Sequence, residues 1–290
     1  LLGEARLVVV RLQPDPSHPE RQELAASRGS HQGTTTMIVA FSLAAASAWD
    51  APATGGVHRA GAVTSIRTSR DVQAVSKPTG YLQLLAKRAA SAMSEGHAHV
   101  EPGFLSGRAL DAARADMIGA LSQVAPATDT EFQSIQTDLM NPDFRRQLPS
   151  DGMPFGGLLE QFDELRLVLA DRTGRRLLEG GGLHLMRYPA GTKFMRHADE
   201  TPFLEEPTRN SISFLLYLTP DDWGEEHGGT LRVFEGEDGT LARHIMPTGG
   251  TLVIYDSTVE HEVLPTFRER HLLSGRFREL DEHWRERQVW

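Results

Sequence analysis

From Gly180 onward, short apolar runs alternate with turn sequences, and this rhythm constrains the fold more than any other feature of the chain. Turn clusters such as Pro189-Ala190-Gly191 and Thr248-Gly249-Gly250 separate the runs. The runs predicted to be strands are residues 183–188, 211–218, 229–234, 250–255 and 272–277. Five or more short strands at such spacing indicate an antiparallel sandwich or barrel.

The segment before these strands has the apolar spacing of helices. Residues 81–93 and 157–170 each place leucines on one face, and Ser106 can cap a third helix that carries Leu110, Met117 and Leu121 on one stripe. We therefore predict an α+β fold, with a double-stranded β-helix (jelly-roll) core at residues 181–290 and a buttress of N-terminal helices at residues 79–180.

Residues 1–78 are predicted to lie outside this fold. The apolar stretch from Met37 to Trp49 is too short to cross a bilayer but suits the centre of a signal peptide, and residues 50–78 have the composition of a transit peptide. One interpretation is a presequence starting at Met37, which would direct the protein to a plastid or to the secretory pathway. The alternative is a disordered tail without an address, which would leave the protein in the cytoplasm.

Composition excludes several kinds of site. The chain has no cysteine, so a thiolate metal site and a cysteine nucleophile are impossible, and any metal must be held by His and carboxylates. With 39 acidic and 30 basic residues the net charge is -9, which argues against binding to nucleic acid. No apolar run reaches the length that spans a bilayer, so we expect no transmembrane segment.

Two histidines and an aspartate form the candidate metal site. In an extended chain, His197 and Asp199 project to the same side and can reach one ion, and His261 follows immediately after a predicted strand. Two imidazoles and one carboxylate on one face of a metal are typical of mononuclear Fe(II) oxygenases. Any one of these histidines could instead be a solvated loop residue. Arg270, at the head of the last predicted strand, favours the metal interpretation because its guanidinium can clamp a carboxylate at two points.

Residues 183–278 resemble the 2-oxoglutarate- and Fe(II)-dependent dioxygenase domain of prolyl 4-hydroxylases, and most of all the hypoxia-sensing prolyl hydroxylases. The segments that carry the resemblance are RYPAGTKFMRHAD (187–199), SFLLYLT (213–219), GGTLRVF (228–234), TLVIYDS (251–257) and HEVLPTFRER (261–270). The resemblance implies that His197, Asp199 and His261 are catalytic and bind Fe(2+). It also implies the cosubstrates 2-oxoglutarate and O2, and dependence on L-ascorbate.

The resemblance further assigns a cosubstrate pocket. It implies that Arg270 holds the C5 carboxylate of 2-oxoglutarate, that Tyr217 adds a phenolic hydrogen bond and that Tyr188 lines the same pocket. By strand alternation Ser274 shares the face of Arg270 and would line the pocket too. Arg276 departs from the family, which often has Trp there; its guanidinium would either add charge to the pocket or turn away at a bulge.

The expected substrate is a prolyl residue of a protein or peptide. The segment 199–217, with Glu200, Glu205 and Glu206, and the loop 221–227 would form the mouth, and their acidity would favour a basic peptide. One alternative is hydroxylation of a free amino acid or another small metabolite. An alternative of a different class is a cupin-like binding or sensing module that has lost turnover.

Overall fold

The computed structural model describes residues 6–8, 79–122, 133–137, 155–200, 207–236 and 239–283. The helices in these ranges are α1 (Thr79–Ser94), α2 (Gly107–Ser122) and α3 (Gly156–Thr173). The strands are β1 (Arg6–Val8), β2 (His99–Glu101), β3 (Gln133–Thr137), β4 (Gly182–Tyr188), β5 (Phe194–His197), β6 (Thr208–Tyr217), β7 (Leu231–Glu235), β8 (Leu241–Ile245), β9 (Leu252–Asp256), β10 (His261–Val263) and β11 (Arg270–Leu280). Apart from β1, the predicted presequence lies outside the described residues.

The strands form two antiparallel sheets that pack against each other. The major sheet has the order β1-β3-β4-β11-β6-β9-β2, and the minor sheet has the order β5-β10-β7-β8. A buried cluster joins their inner faces, with Leu215, Val253 and Leu272 from the major sheet and Leu231 and Val233 from the minor one. This arrangement confirms the predicted α+β fold with a double-stranded β-helix core.

The outer face of the major sheet is covered by the helices. Leucines of α1 and α3 belong to the same buried cluster as Leu273 and Phe277 of β11. The Phe162 ring of α3 stacks on Phe214 of β6 at 4.5 Å between centroids. Burying such large apolar side chains contributes about 1.5–3 kcal/mol each, so the helices hold the sheet that carries the site.

Side chains of the central strand β11 point in alternation toward the helices and into the cluster between the two sheets. Leu273 and Phe277 point toward the helices, whereas Leu272 packs in the cluster between the sheets. In register, Arg270 lies opposite Tyr188 of β4, and Leu272 lies opposite Tyr217 of β6. Strand alternation therefore places Arg270 on the face that looks into the jelly-roll.

Gly250 shapes the turn that leads into β9. Its φ of 78° lies in the left-handed region, and a Cβ there would come within 1.9 Å of the Leu105 carbonyl oxygen. Its amide donates to the Tyr217 carbonyl at 2.8 Å, and its own carbonyl accepts from the Leu105 amide at 3.1 Å. Only glycine accommodates both the backbone conformation and this close approach.

Three strands of the minor sheet, β5, β8 and the three-residue β10, have no counterpart among the predicted strands. Strand β5 has no fully buried residue, and the first four residues of β8 are exposed. The apolar alternation that marks a half-buried strand is therefore missing from both sequences. Within the described residues, no helix has the length and apolar character needed to cross a membrane.

Candidate metal centre

Strand pairing in the minor sheet brings the three candidate ligands together. His197 ends β5 and His261 begins β10, and the two residues are register partners in antiparallel strands. Their ring centroids lie 4.3 Å apart. Asp199 follows His197 by two residues, and one ligand atom from each of the three side chains lies within 4.8 Å of the others. We call these three residues the His-Asp-His cluster.

Backbone carbonyls fix the tautomers of both imidazoles. Nδ1 of His197 is 2.8 Å from the Met195 carbonyl oxygen, and Nδ1 of His261 is 3.1 Å from that of Val259. Because a carbonyl oxygen only accepts, both Nδ1 atoms donate, and each Nε2 keeps its lone pair. The two Nε2 atoms each lie 3.9 Å from an oxygen of Asp199. Burial lowers the pKa of His261 to about 4, which keeps this lone pair free near neutral pH.

Asp199 is held as a carboxylate by two donors. The Tyr255 hydroxyl donates to its Oδ2 at 2.9 Å, and Arg276 Nη2 donates to its Oδ1 at 2.5 Å. Burial by itself would raise the pKa of Asp199, but the neighbouring Arg276 guanidinium holds that pKa well below its usual range. The Asn210 side chain also donates to the Asp199 backbone carbonyl at 2.9 Å, which fixes the loop after β5. The cluster thus offers the Nε2 atoms of two imidazoles and one carboxylate.

A second group of polar side chains lies in the same core around Arg270. Arg270 is fully buried, and its Nη1 donates to the Gly229 carbonyl at 2.7 Å. Its guanidinium lies 4.2 Å from the centroid of the Tyr188 ring and 5.9 Å from that of Tyr217. Arg270 Nε, Arg270 Nη2 and the Tyr217 hydroxyl are buried without a hydrogen-bond partner among the described residues.

These unpaired donors indicate a place for an anion. A buried N–H or O–H group without a partner costs about 1–3 kcal/mol, and more when it is charged. The guanidinium has two donors left in a fork geometry that suits a carboxylate, and the phenol can supply a third. The residues present therefore fit a carboxylate-bearing molecule such as 2-oxoglutarate beside a metal held by the His-Asp-His cluster.

The remaining predicted pocket residues differ in their contacts with Arg270. Tyr188 and Tyr217 are buried, and their rings lie near the Arg270 guanidinium. Ser274 is also buried on β11, but within the described residues its hydroxyl makes no hydrogen bond to Arg270 or to the His-Asp-His cluster.

Arg276 adopts the first of the two orientations left open by the sequence. It points toward the cluster, and the irregularity of β11 comes one residue later, between Phe277 and Arg278. Burial opposes its charge, but the Asp199 carboxylate raises the pKa of Arg276 above its ordinary value. A permanent cation thus touches the carboxylate of the candidate metal site.

Tyr255 is the site residue that sequence reasoning missed. Its hydroxyl lies 2.9 Å from Asp199 Oδ2 and 3.3 Å from His261 Nε2. The sequence did contain a signal for it. Tyr255 follows Val253 by two residues on β9, so the two side chains share one face of the strand, and both lie in the cluster between the sheets. That alternation points its side chain toward the same interior as His261.

Two imidazoles and one carboxylate on one side of an ion are a ligand set that could hold a mononuclear non-haem metal. Residues 183–278 match the family model of the 2OG-Fe(II) oxygenase superfamily. This region contains the whole His-Asp-His cluster, Arg270 and Arg276. This region is therefore similar to 2OG-Fe(II) oxygenases, and its fold is like that of prolyl hydroxylases.

Solved structures with the same fold include several prolyl hydroxylases. A prolyl-4-hydroxylase from Pseudomonas putida is 27% identical with a TM-score of 0.54, and the match covers 67% of this chain and 99% of that one. A prolyl hydroxylase from Trichoplax adhaerens, solved with a peptide fragment of hypoxia inducible factor, is 15% identical with a TM-score of 0.57, over 74% and 99% of the two chains. A prolyl 4-hydroxylase from Phytophthora capsici is 19% identical with a TM-score of 0.52, over 70% and 66%. Comparison with curated proteins found no match.

Proposed function

We propose that this protein is an oxygenase that hydroxylates prolyl residues of a protein or peptide, with 2-oxoglutarate as cosubstrate. In this proposal His197, Asp199 and His261 hold Fe(II), Arg270 and Tyr217 bind the C5 carboxylate of 2-oxoglutarate, and Tyr188 lines its pocket. Bound iron would supply the activation of O2 that hydroxylation of an unactivated C–H bond requires. The observation that carries the proposal is the set of unpaired buried donors on Arg270 and Tyr217, in the same core as the His-Asp-His cluster.

Contacts within the protein fix the Arg270 guanidinium in an orientation that suits a carboxylate. The Gly229 carbonyl takes one N–H group, and the Tyr188 ring lies against the guanidinium, so the group is fixed in orientation. Nε and Nη2 remain for the two oxygens of a carboxylate. Binding to a fixed fork loses less side-chain entropy than binding to a mobile lysine, which favours tight and directional binding of a dicarboxylate.

The exposed fractions of the three cluster side chains support a substrate that approaches the cluster from the side of His197. Its side chain is 33% exposed, whereas those of Asp199 and His261 are 3% and 6% exposed. Met195, two residues before His197 on β5, is 73% exposed. A substrate that reaches the metal from this side would lie over β5, while Asp199 and His261 stay protected from water.

A preference for basic peptides rests on the loop 221–227. Glu200 accepts from Arg209 at 2.8 Å, so its charge is already compensated, and Glu205 and Glu206 lie outside the described residues. The loop carries the exposed acidic residues Asp221 and Glu225. It is held against the segment that precedes β11, because the Phe267 amide donates to the His227 carbonyl at 2.7 Å.

The contact of Arg276 argues against a free amino acid as substrate. A free amino acid brings its own carboxylate, which requires a cation in the pocket. Arg276 is the cation that could have served, but its Nη2 is engaged by Asp199. A prolyl residue within a chain has neutral peptide groups on both sides and makes no such demand. The likeness to the Pseudomonas putida prolyl-4-hydroxylase also favours proline.

Ascorbate would serve to restore iron oxidised in uncoupled turnover, as in the family that the sequence resembles.

The test compares peptides and free L-proline side by side. Purified protein is incubated with Fe(II), 2-oxoglutarate and ascorbate, and both succinate and a mass gain of one oxygen are measured. With proline-containing peptides we expect an oxygen gain and succinate above the rate without substrate, and with free proline we expect neither. His261→Ala should abolish both signals. Oxygen gain on free proline alone would contradict the prolyl proposal, while succinate formation would still support an active oxygenase. Omission of ascorbate should shorten the time over which product accumulates.

A further inference from the structure

Both oxygens of the Asp199 carboxylate are engaged before a metal arrives. Oδ1 accepts from Arg276 at 2.5 Å, and Oδ2 accepts from Tyr255 at 2.9 Å. The two donors differ in kind, because the phenol is neutral and the guanidinium carries a permanent positive charge. A metal that binds this carboxylate therefore meets a neighbouring cation that already occupies one of its oxygens.

Among the described residues, the charge of Arg276 has one compensating partner. The charged or titratable groups that interact with it there are Asp199, Tyr188, Tyr255, His184 and His261. Burial lowers the pKa of His184 to about 4, so this side chain is neutral at pH 7, and both phenols are neutral too. The Asp199 carboxylate thus balances Arg276 in the metal-free protein, and a divalent metal would share the same single negative charge.

We propose that Arg276 is a positioning residue for Asp199 that competes with the metal. In the metal-free protein it holds the carboxylate in place and neutralises it. When a divalent cation binds, the guanidinium repels that cation and gives up part of its interaction with Oδ1. Arg276 therefore stabilises the metal-free fold and weakens metal binding. This inference rests on the metal site and is independent of whether the substrate is a prolyl residue.

The size of the effect follows from Coulomb's law. Like charges a few ångströms apart repel strongly in the poorly screened interior of a protein, and a divalent metal doubles the charge on one side. Reorientation of the guanidinium and screening by solvent reduce this repulsion, because the Arg276 side chain is 21% exposed. We therefore expect removal of the charge to tighten metal binding by at least about tenfold.

A merely structural role for Arg276 predicts the opposite direction. If the guanidinium only packed β11 against Asp199, its loss would disorder the carboxylate and weaken metal binding. Metal affinity in the absence of 2-oxoglutarate thus separates the two roles. Thermal stability of the metal-free protein would fall under either role and serves only to establish that each variant is folded.

The experiment compares Arg276→Gln, Arg276→Leu and Arg276→Lys with the unaltered protein. Each metal-free protein is titrated with Mn(II) alone, and free Mn(II) is measured by electron paramagnetic resonance. Gln and Leu should bind Mn(II) at least about tenfold more tightly, whereas Lys, which keeps the charge, should stay within about threefold of the unaltered protein. If Arg276→Leu does not fold, the Gln and Lys variants make the same comparison.

Equal or weaker Mn(II) binding by Arg276→Gln would overturn the inference, and so would a Lys variant that binds as tightly as the Gln variant. His261→Ala is the control for the site itself and should lose Mn(II) binding. If His261→Ala binds Mn(II) like the unaltered protein, the metal site is wrong and this inference falls with it.

Discussion

The guanidinium of Arg270 lies 5.9 Å from the centroid of the Tyr217 ring, and both side chains have buried polar atoms without a hydrogen-bond partner among the described residues. Arg270 belongs to β11 and Tyr217 to the neighbouring strand β6, so the pairing of the major sheet brings them together. Such a pair is unfavourable for the empty fold and favourable for binding an anion. Stability and cosubstrate affinity should therefore change in opposite directions when either residue is altered.

Replacing the buried arginine should stabilise the protein while weakening cosubstrate binding. Arg270→Met keeps much of the side-chain volume but removes a buried cation whose Nε and Nη2 have no hydrogen-bond partner among the described residues. We expect the free energy of unfolding of the metal-free protein to rise by about 1–3 kcal/mol. Calorimetric affinity for 2-oxoglutarate in the presence of Mn(II) should fall by at least about a hundredfold, because a charge-assisted clamp is lost.

Arg268→Met is the matched control for this substitution. Arg268 lies on the surface, where its Nη1 pairs with Asp222 at 3.1 Å. Both measurements should stay close to those of the unaltered protein, since exposed ion pairs contribute about 0–1 kcal/mol. A stability loss in Arg270→Met, combined with unchanged 2-oxoglutarate affinity, would mean that Arg270 has only a packing role.

Tyr217→Phe should weaken 2-oxoglutarate binding without lowering the free energy of unfolding. The Tyr217 hydroxyl makes no hydrogen bond within the described part of the chain, and burial raises the pKa of this phenol to about 12, so it is a neutral donor. Its removal should leave the free energy of unfolding unchanged or slightly higher, and should weaken 2-oxoglutarate binding about fivefold to tenfold. Tyr81→Phe is the control: its hydroxyl donates to Glu101 at 2.9 Å, so this change should cost about 1 kcal/mol of stability and leave 2-oxoglutarate affinity unaltered.

The sequence predicted the apolar framework and the ligand spacing, because both leave local signals. The buried strands β4, β6 and β9 have apolar runs, and the segment from His197 to Asp199 carries its own spacing. Strands β5 and β8 could not be found in this way, since their exposed side chains follow no apolar alternation. They form through backbone pairing with β10 and β7, which a single sequence does not reveal.

The contact of Arg276 with Asp199 was beyond prediction for a different reason. The two residues are 77 positions apart, and whether β11 turns the guanidinium inward depends on where its irregularity falls. The sequence indicated that position 276 departs from the related family but left both orientations open. The Tyr255 contact with Asp199 likewise depends on the pairing of strands from different parts of the chain.

The metal-free protein should lose stability as the pH falls from about 6.5 to about 4. Burial lowers the pKa of His184 and of His261 to about 4, whereas both side chains titrate near 6.5 in the unfolded chain. Between these values the unfolded chain binds more protons, so acidification favours unfolding. The contribution of each histidine is about 1–3 kcal/mol over this range. Chemical denaturation at pH 7 and pH 4.5 measures it.

His184→Gln tests the histidine origin of this effect, since it removes one of the two groups without touching the His-Asp-His cluster. The difference in unfolding free energy between pH 7 and pH 4.5 should be smaller in this variant than in the unaltered protein. A difference that does not change on substitution, or a stability that rises on acidification, would contradict the assignment of neutral buried histidines.

Neutralising two carboxylates of the loop 221–227 should reveal the role of this loop in peptide binding. Asp221→Asn and Glu225→Gln together remove two exposed carboxylates without changing side-chain size. We expect the apparent KM for a basic proline peptide to rise about threefold to tenfold, with little change for an uncharged peptide and none in Mn(II) affinity. Asp111→Asn, an exposed carboxylate on α2, is the control, and an equal effect of that change would exclude a specific role for the loop.

Anaerobic calorimetry of 2-oxoglutarate binding tests the central claim most directly, namely that the His-Asp-His cluster and Arg270 together form one metal and cosubstrate site. The titration is carried out with and without Fe(II), in the unaltered protein, His261→Ala and Arg270→Met. We predict one 2-oxoglutarate bound per chain in the presence of Fe(II), little binding without the metal or in His261→Ala, and strongly weakened binding in Arg270→Met. Binding of 2-oxoglutarate that is equally tight without Fe(II) and in both variants would contradict the account.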